Sequence, residues 1–202
     1  MKTAVLILVM VLSLAGLSLA ADEILLIDGF EIMITGGPEG TVDFGAGNGS
    51  NVEVSAATDI AHGGKQSLKV TYDAVPGGYI WVARGYDLDA KNSGWLVKAG
   101  DVSWNKYNAI AFYMYGSDNK AKIAFDIKDN GGEISRYIFE DNFKGWKQVV
   151  CPFKEFVARD DWQPQTAEKN GQIDFPIKSY QFEPLPPAKG TLYLDDAELV
   201  KK

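Results

Sequence analysis

Along Ala109–Tyr115 the side chains alternate, with Ile110, Phe112 and Met114 on one face and Tyr113 and Tyr115 on the other. A repeat of two belongs to an extended strand with one buried face, because a helix would need a repeat near 3.6. The same pattern puts Ile123, Phe125 and Ile127 on one face of Lys122–Lys128, and it recurs in Ser67–Tyr72. Arg136–Glu140, Trp146–Cys151, Ser179–Glu183 and Thr191–Val200 are further strand-like runs. Turn signals separate them: Gly36-Gly37-Pro38, Asn48-Gly49, Gly63-Gly64, Pro76-Gly77-Gly78, Asp129-Asn130-Gly131-Gly132 and Pro186-Pro187. Helical spacing is confined to single turns near Val102–Tyr107 and Lys154–Val157. Short strands with polar turns over this length predict an all-β sandwich of jelly-roll type.

Residues 1–20 stand apart from that pattern. Lys2 precedes an apolar run, Ala4–Gly16, too short for a membrane span, and Ser18-Leu19-Ala20 fits the small-x-small cleavage rule. They read as an export signal, leaving residues 21–202 as a single domain. No later run is long and apolar enough for a transmembrane helix. The net charge of −7 argues against nucleic acid and anionic membranes as partners. The one cysteine, Cys151, lies in a strand-like run with no histidine near it in sequence, so it reads as a buried thiol and excludes a disulfide framework. The single histidine, His62, precedes Gly63-Gly64 and reads as a solvated turn residue. Gly45-Ala46-Gly47-Asn48-Gly49 precedes no helix and reads as a glycine turn, not a dinucleotide loop.

Arg159-Asp160-Asp161-Trp162-Gln163-Pro164 concentrates chemistry. A guanidinium, a carboxylate and a large ring suit a sugar: the ring packs on the apolar C–H face of a pyranose, and charged groups bond its hydroxyls. The alternative is a solvated Arg/Asp turn with Trp162 folded into the core. Glycoside hydrolysis needs two carboxylates facing each other across a cleft. Asp126, Asp129, Glu133, Glu140 and Asp161 are the available acids, but no closely spaced Glu-x-Asp motif on one strand is visible.

In order along the chain, Ile27-Asp28-Gly29-Phe30-Glu31, Lys69–Tyr72 with Gly78-Tyr79-Ile80-Trp81, Trp146–Phe156, the Arg159–Pro164 segment and Leu192–Leu199 resemble the family-11 carbohydrate-binding modules. That resemblance implies a galactose-binding-like jelly roll that binds β-1,4 or mixed-linkage β-glucan without cleaving it. It carries ligand contact over to Tyr79, Trp81, Arg159, Asp161 and Trp162, with Trp162 where the family usually has Tyr. Lys178 and Pro184 stand where the family has a binding Asp and Tyr, so part of the cleft departs from the pattern. Asp89–Val102 resembles an insertion, and Trp95 at its centre is either a loop anchor or a ligand-facing ring.

Asp28, Glu31, Asp195 and Asp196 fall on the first and last strands. Converging carboxylates suit a hard cation, although like charges spread along two edge strands are harmless in water. The resemblance implies structural Ca²⁺ there, with Glu31 and Asp195 as side-chain ligands. The competing functional reading is an extracellular assembly protein that keeps the fold without sugar binding. An open aromatic groove favours the first reading, and one covered by the Asp89–Val102 segment favours the second.

Overall fold

The computed structural model describes residues 23–202. The leader assigned to residues 1–20 lies outside them. Twelve strands form two antiparallel six-stranded sheets. In chain order they are β1 (Ile24–Asp28), β2 (Asp43–Gly47), β3 (Asn51–Ala57), β4 (Ser67–Ala74), β5 (Tyr79–Gly85), β6 (Ala109–Ser117), β7 (Lys122–Lys128), β8 (Ile134–Glu140), β9 (Lys144–Pro152), β10 (Val157–Ala158), β11 (Ser179–Pro184) and β12 (Ala188–Val200). One sheet runs β3-β4-β12-β6-β9, with β1 also on β12. The other runs β10-β8-β7-β11-β5-β2. The two expected helical turns are 3₁₀ turns at Trp104–Lys106 and Phe153–Glu155, and a further 3₁₀ turn lies at Ala99–Asp101.

The alternation seen in the sequence builds the core. Ile110, Phe112 and Met114 of β6 are fully buried, as are Ile123, Phe125 and Ile127 of β7. Phe112 crosses between the sheets to meet Phe125 and Phe182, each at 4.8 Å between ring centroids. The opposite face of β7 and its neighbours mixes charged residues with exposed aromatic and aliphatic ones, and this face carries the site.

Glycine misleads at one place. Gly45 and Gly47 belong to strand β2, and the turn begins only at Asn48 and Gly49, which take positive φ of 53° and 89°. The ladder to β5 pairs Gly45 with Trp81 and Gly47 with Tyr79.

A buried ion pair joins the sheets. Arg84 on β5 donates to both carboxylate oxygens of Asp28 on β1, at 2.6 and 2.8 Å, and Tyr180 on β11 donates to Asp28 at 2.7 Å. Arg84 also donates to Thr41 Oγ1 at 3.0 Å. Asp28 is thereby committed to Arg84 and is not part of a cation site.

Candidate functional site: a groove on the β10–β2 sheet

Registry brings the site together. Along one rung, Asp43, Ala83, Gln181, Asp126, Arg136 and Val157 lie side by side on six strands. Their side chains share the face turned away from the core, since Ile80, Val82, Phe125, Ile127, Tyr180 and Phe182 point inward. A groove of about 1140 Å³ runs over this face, lined among others by Tyr79, Trp81, Arg159, Asp161 and Trp162. All five residues expected to contact ligand therefore sit in one concavity.

The aromatic residues sit on two strands' worth of scaffold. On the β2 side, Tyr79 and Trp81 are near-parallel, with ring centroids 6.0 Å apart and planes inclined by 21°. They lie over the glycines of β2: a Cβ on Gly45 would stand 2.4 Å from Trp81 Cη2, and one on Gly47 would stand 2.3 Å from Tyr79 Cζ. Trp81 is fixed by a hydrogen bond from its Nε1 to Asp43 at 3.0 Å. On the opposite side Trp162 leaves 57% of its surface open, against 48% for Tyr79. Trp162 is thus a groove residue and not part of the core. Trp95 is the reverse case. It is buried, stacked on Tyr180 and edge-on to Tyr86, so it anchors the Asp89–Val102 segment and leaves the groove rings uncovered.

Between the two aromatic walls lies an ionic layer. Arg159 forks onto Asp161 at 3.0 and 2.8 Å, and its Nη1 reaches Asp126 at 2.9 Å and Glu183 at 3.2 Å. Arg136 forks onto Asp126 at 2.7 and 2.9 Å and also bonds Glu183. The hydrogen bonds and charge of Arg159 hold Asp161 down at about 2. Burial pushes Glu183 up, and the two guanidiniums oppose that rise. Sequence reasoning assigned Arg159 and Asp161 to direct sugar contact. The structure shows that four Arg159 hydrogen bonds already go to carboxylates, so the acceptor oxygens it holds are what it offers a ligand. Arg136 and Glu183 were missed, and Asp126 was considered only as a hydrolytic acid. The alternation did place Asp126 on the solvent face of its strand, but which residue of the next strand faces it is a matter of register.

The groove is poorly suited to hydrolysis. A general acid must hold a proton near neutral pH, whereas Asp161 is kept ionised by Arg159. Asp129 and Glu133 lie buried in the β7–β8 turn, accepting backbone N–H bonds from Glu133, Asp174 and Gly171. Cys151 is fully buried, and burial pushes its thiol up. Lys178 and Pro184 do not line the groove: Pro184 ends β11 buried, and the Lys178 carbonyl accepts from Tyr86 N at 2.8 Å.

His62 lies in an exposed bend, as expected, but it is not without partners. Its ring stacks on Tyr113 at 3.5 Å and bonds Asp196 at 2.7 Å. The loop it begins is gripped by the two residues expected to bind calcium. Asp195 accepts from the N–H groups of His62 and Gly63 at 2.8 and 3.1 Å, and Glu31 accepts from those of Lys65 and Gln66 at 2.9–3.2 Å. Asp195 is fully buried at a bulge in β12 and forms no ion pair among the described residues. The described residues contain no group of three or more His, Cys, Asp or Glu arranged for a metal ion. Any cation here would draw most of its ligands from backbone carbonyls and water. Ca²⁺ accepts such oxygens, and the N–H bonds leave lone pairs on both carboxylates.

Comparison with known proteins gives a consistent result. The family model for carbohydrate binding domain (family 11) matches residues 18–202. The chain is 26% identical over 170 residues to endoglucanase H of Acetivibrio thermocellus, a match covering 80% of this chain but 17% of that protein. The fold is similar to the family 11 carbohydrate-binding module of a cellulosomal cellulase of Clostridium thermocellum, with TM-score 0.67 at 20% identity over 91% of this chain and 97% of that one. It is similar also to a Clostridium thermocellum family 11 module solved with a β-1,3-1,4-mixed-linked tetrasaccharide, with TM-score 0.65 at 21% identity over 89% and 95%.

Proposed function

Since this chain belongs to the family 11 carbohydrate-binding domains, which bind and do not cleave, we propose that its groove holds a β-1,4 or mixed-linkage β-glucan. One observation carries this reading: exposed Trp162 and Tyr79 flank a layer of carboxylates in a single open groove. From β5 to β8 is three strand spacings, about 14 Å, room for a few pyranose rings lying across the strands. The aromatic faces stack on the rings, and Asp126, Asp161 and Glu183 accept from their hydroxyls. The related module solved with a mixed-linked tetrasaccharide supports this choice of sugar.

After the cost of ordering a flexible chain, dissociation constants of about 10 μM to 1 mM are expected. Affinity electrophoresis through soluble mixed-linkage glucan tests the reading. The wild-type chain should be retarded, and Trp162→Ala should lose about tenfold in affinity, since it removes a stack worth about 1 kcal/mol together with the burial of its ring. Equal mobility with and without glucan excludes this ligand.

The leader-like residues 1–20 support reading this chain as an exported domain. A structural calcium ion belongs to the same proposal, held by Glu31 and the buried Asp195. It would tie the His62–Gln66 loop to the segment after β1 and to the bulge in the middle of β12, and take no part in sugar recognition.

A further inference from the structure

We propose that Arg136 is a positioning residue of the groove: by bridging Asp126 and Glu183 it holds both carboxylates in place as acceptors for sugar hydroxyls. The inference rests on reading the groove as a glucan site. Asp126 faces Arg136 directly in the β7–β8 register, and Glu183 lies on the same face of the adjacent β11. The side chains of Asp126 and Glu183 are nearly buried, at 2% and 9% exposed. Paired, such carboxylates accept strong charge-assisted bonds; unpaired, they take up protons.

The two guanidiniums divide the work unequally. Arg159 commits its fork to Asp161 and reaches the buried pair through Nη1 alone. Arg136 commits its fork to Asp126, and its Nη2 also bonds Glu183. The charges facing Glu183 are Arg136 from β8, Arg159 from beyond β10 and Asp126 from β7; Asp161 lies behind Arg159. With Arg136 present, two cations meet three carboxylates. Without it, one cation meets three. Burial already favours protonated Glu183, so loss of Arg136 would convert an acceptor into a neutral carboxyl.

The test compares wild type, Arg136→Met, Arg136→Lys and Glu183→Gln by titration calorimetry with a mixed-linked glucan tetrasaccharide from pH 5 to 8. Glu183 titration is followed in parallel by carboxyl ¹³C NMR, with circular dichroism as the folding control. Wild-type affinity should be flat with pH. Arg136→Met should bind about tenfold more weakly at pH 7, the loss of one charge-assisted bond, with the Glu183 midpoint raised and affinity now pH-dependent. Arg136→Lys should restore the flat profile. A folded Arg136→Met with wild-type affinity, a flat profile and an unmoved Glu183 midpoint overturns the proposal alone. If Arg136→Met does not fold, Glu183→Gln decides: it mimics the protonated state and should show the same tenfold loss, and wild-type affinity overturns the proposal. A wild type that does not bind the tetrasaccharide overturns the glucan reading, and this inference with it.

Discussion

Gly45 faces Trp81 across the β2–β5 ladder, and the indole lies so close that a methyl group on Gly45 would stand 2.4 Å from it. The flat aromatic wall of the groove therefore depends on a missing side chain. Gly45→Ala should tilt Trp81 away from the sheet and break its bond to Asp43. Glucan affinity should fall several-fold with the fold intact. Tryptophan fluorescence and affinity electrophoresis check this together, and an unchanged affinity would show that the wall tolerates the tilt.

The Asp28–Arg84 pair is the opposite kind of site, with a role in stability alone. Breaking a buried ion pair by removing one partner costs about 3–5 kcal/mol. Arg84→Met leaves Asp28 with the Tyr180 hydroxyl and the Phe30 N–H but no cation, and should lower the melting temperature by roughly 10 °C. The folded fraction should bind glucan as wild type does, because Arg84 points away from the groove. Thermal melts paired with calorimetry below the transition measure both quantities.

Asp161 makes a pH prediction. Its folded carboxyl sits at about 2, below the ordinary value near 3.9. A lowered acid contributes stability that is present above the unfolded value and is lost as pH falls through the folded one. The contribution should therefore disappear between about pH 4 and pH 2. It should be small, below about 1 kcal/mol, because the Asp161 side chain is 55% exposed. Asp161→Asn should melt slightly below wild type at pH 7, and the two curves should converge near pH 2.

Calcium, if bound at Glu31 and Asp195, stabilises only the folded state. Excess chelator should then lower the melting temperature by an amount set by free calcium. Glucan affinity measured well below the transition should not change, since the groove lies on the other sheet. An identical melt with and without chelator rejects the ion and leaves the N–H bonds of the His62–Gln66 loop as the whole of the tie.

The fold class was legible in the sequence because a period of two is a local property. Ile110, Phe112 and Met114 need no knowledge of the rest of the chain to declare a buried face. The same locality made Arg159, Asp161 and Trp162 visible, since they stand within four residues of one another. Local reading failed where meaning depends on a neighbour distant in sequence. Gly45 and Gly47 resemble a turn until Tyr79 and Trp81 are laid over them. Trp95 and Trp162 are equally aromatic in sequence, yet packing against Tyr180 buries one and leaves the other open to solvent. Arg136 and Glu183 join the site only through strand register, which pairs residues across a sheet by hydrogen bonds between backbones far apart in the chain. Sequence alone marked β4, β6, β7, β8, β9, β11 and β12, the inward faces of β6 and β7, and the chemical character of the Arg159–Trp162 segment. Tertiary structure decided which carboxylates the arginines hold and which rings face the groove, because pairing and burial depend on distances between strands that no single segment encodes.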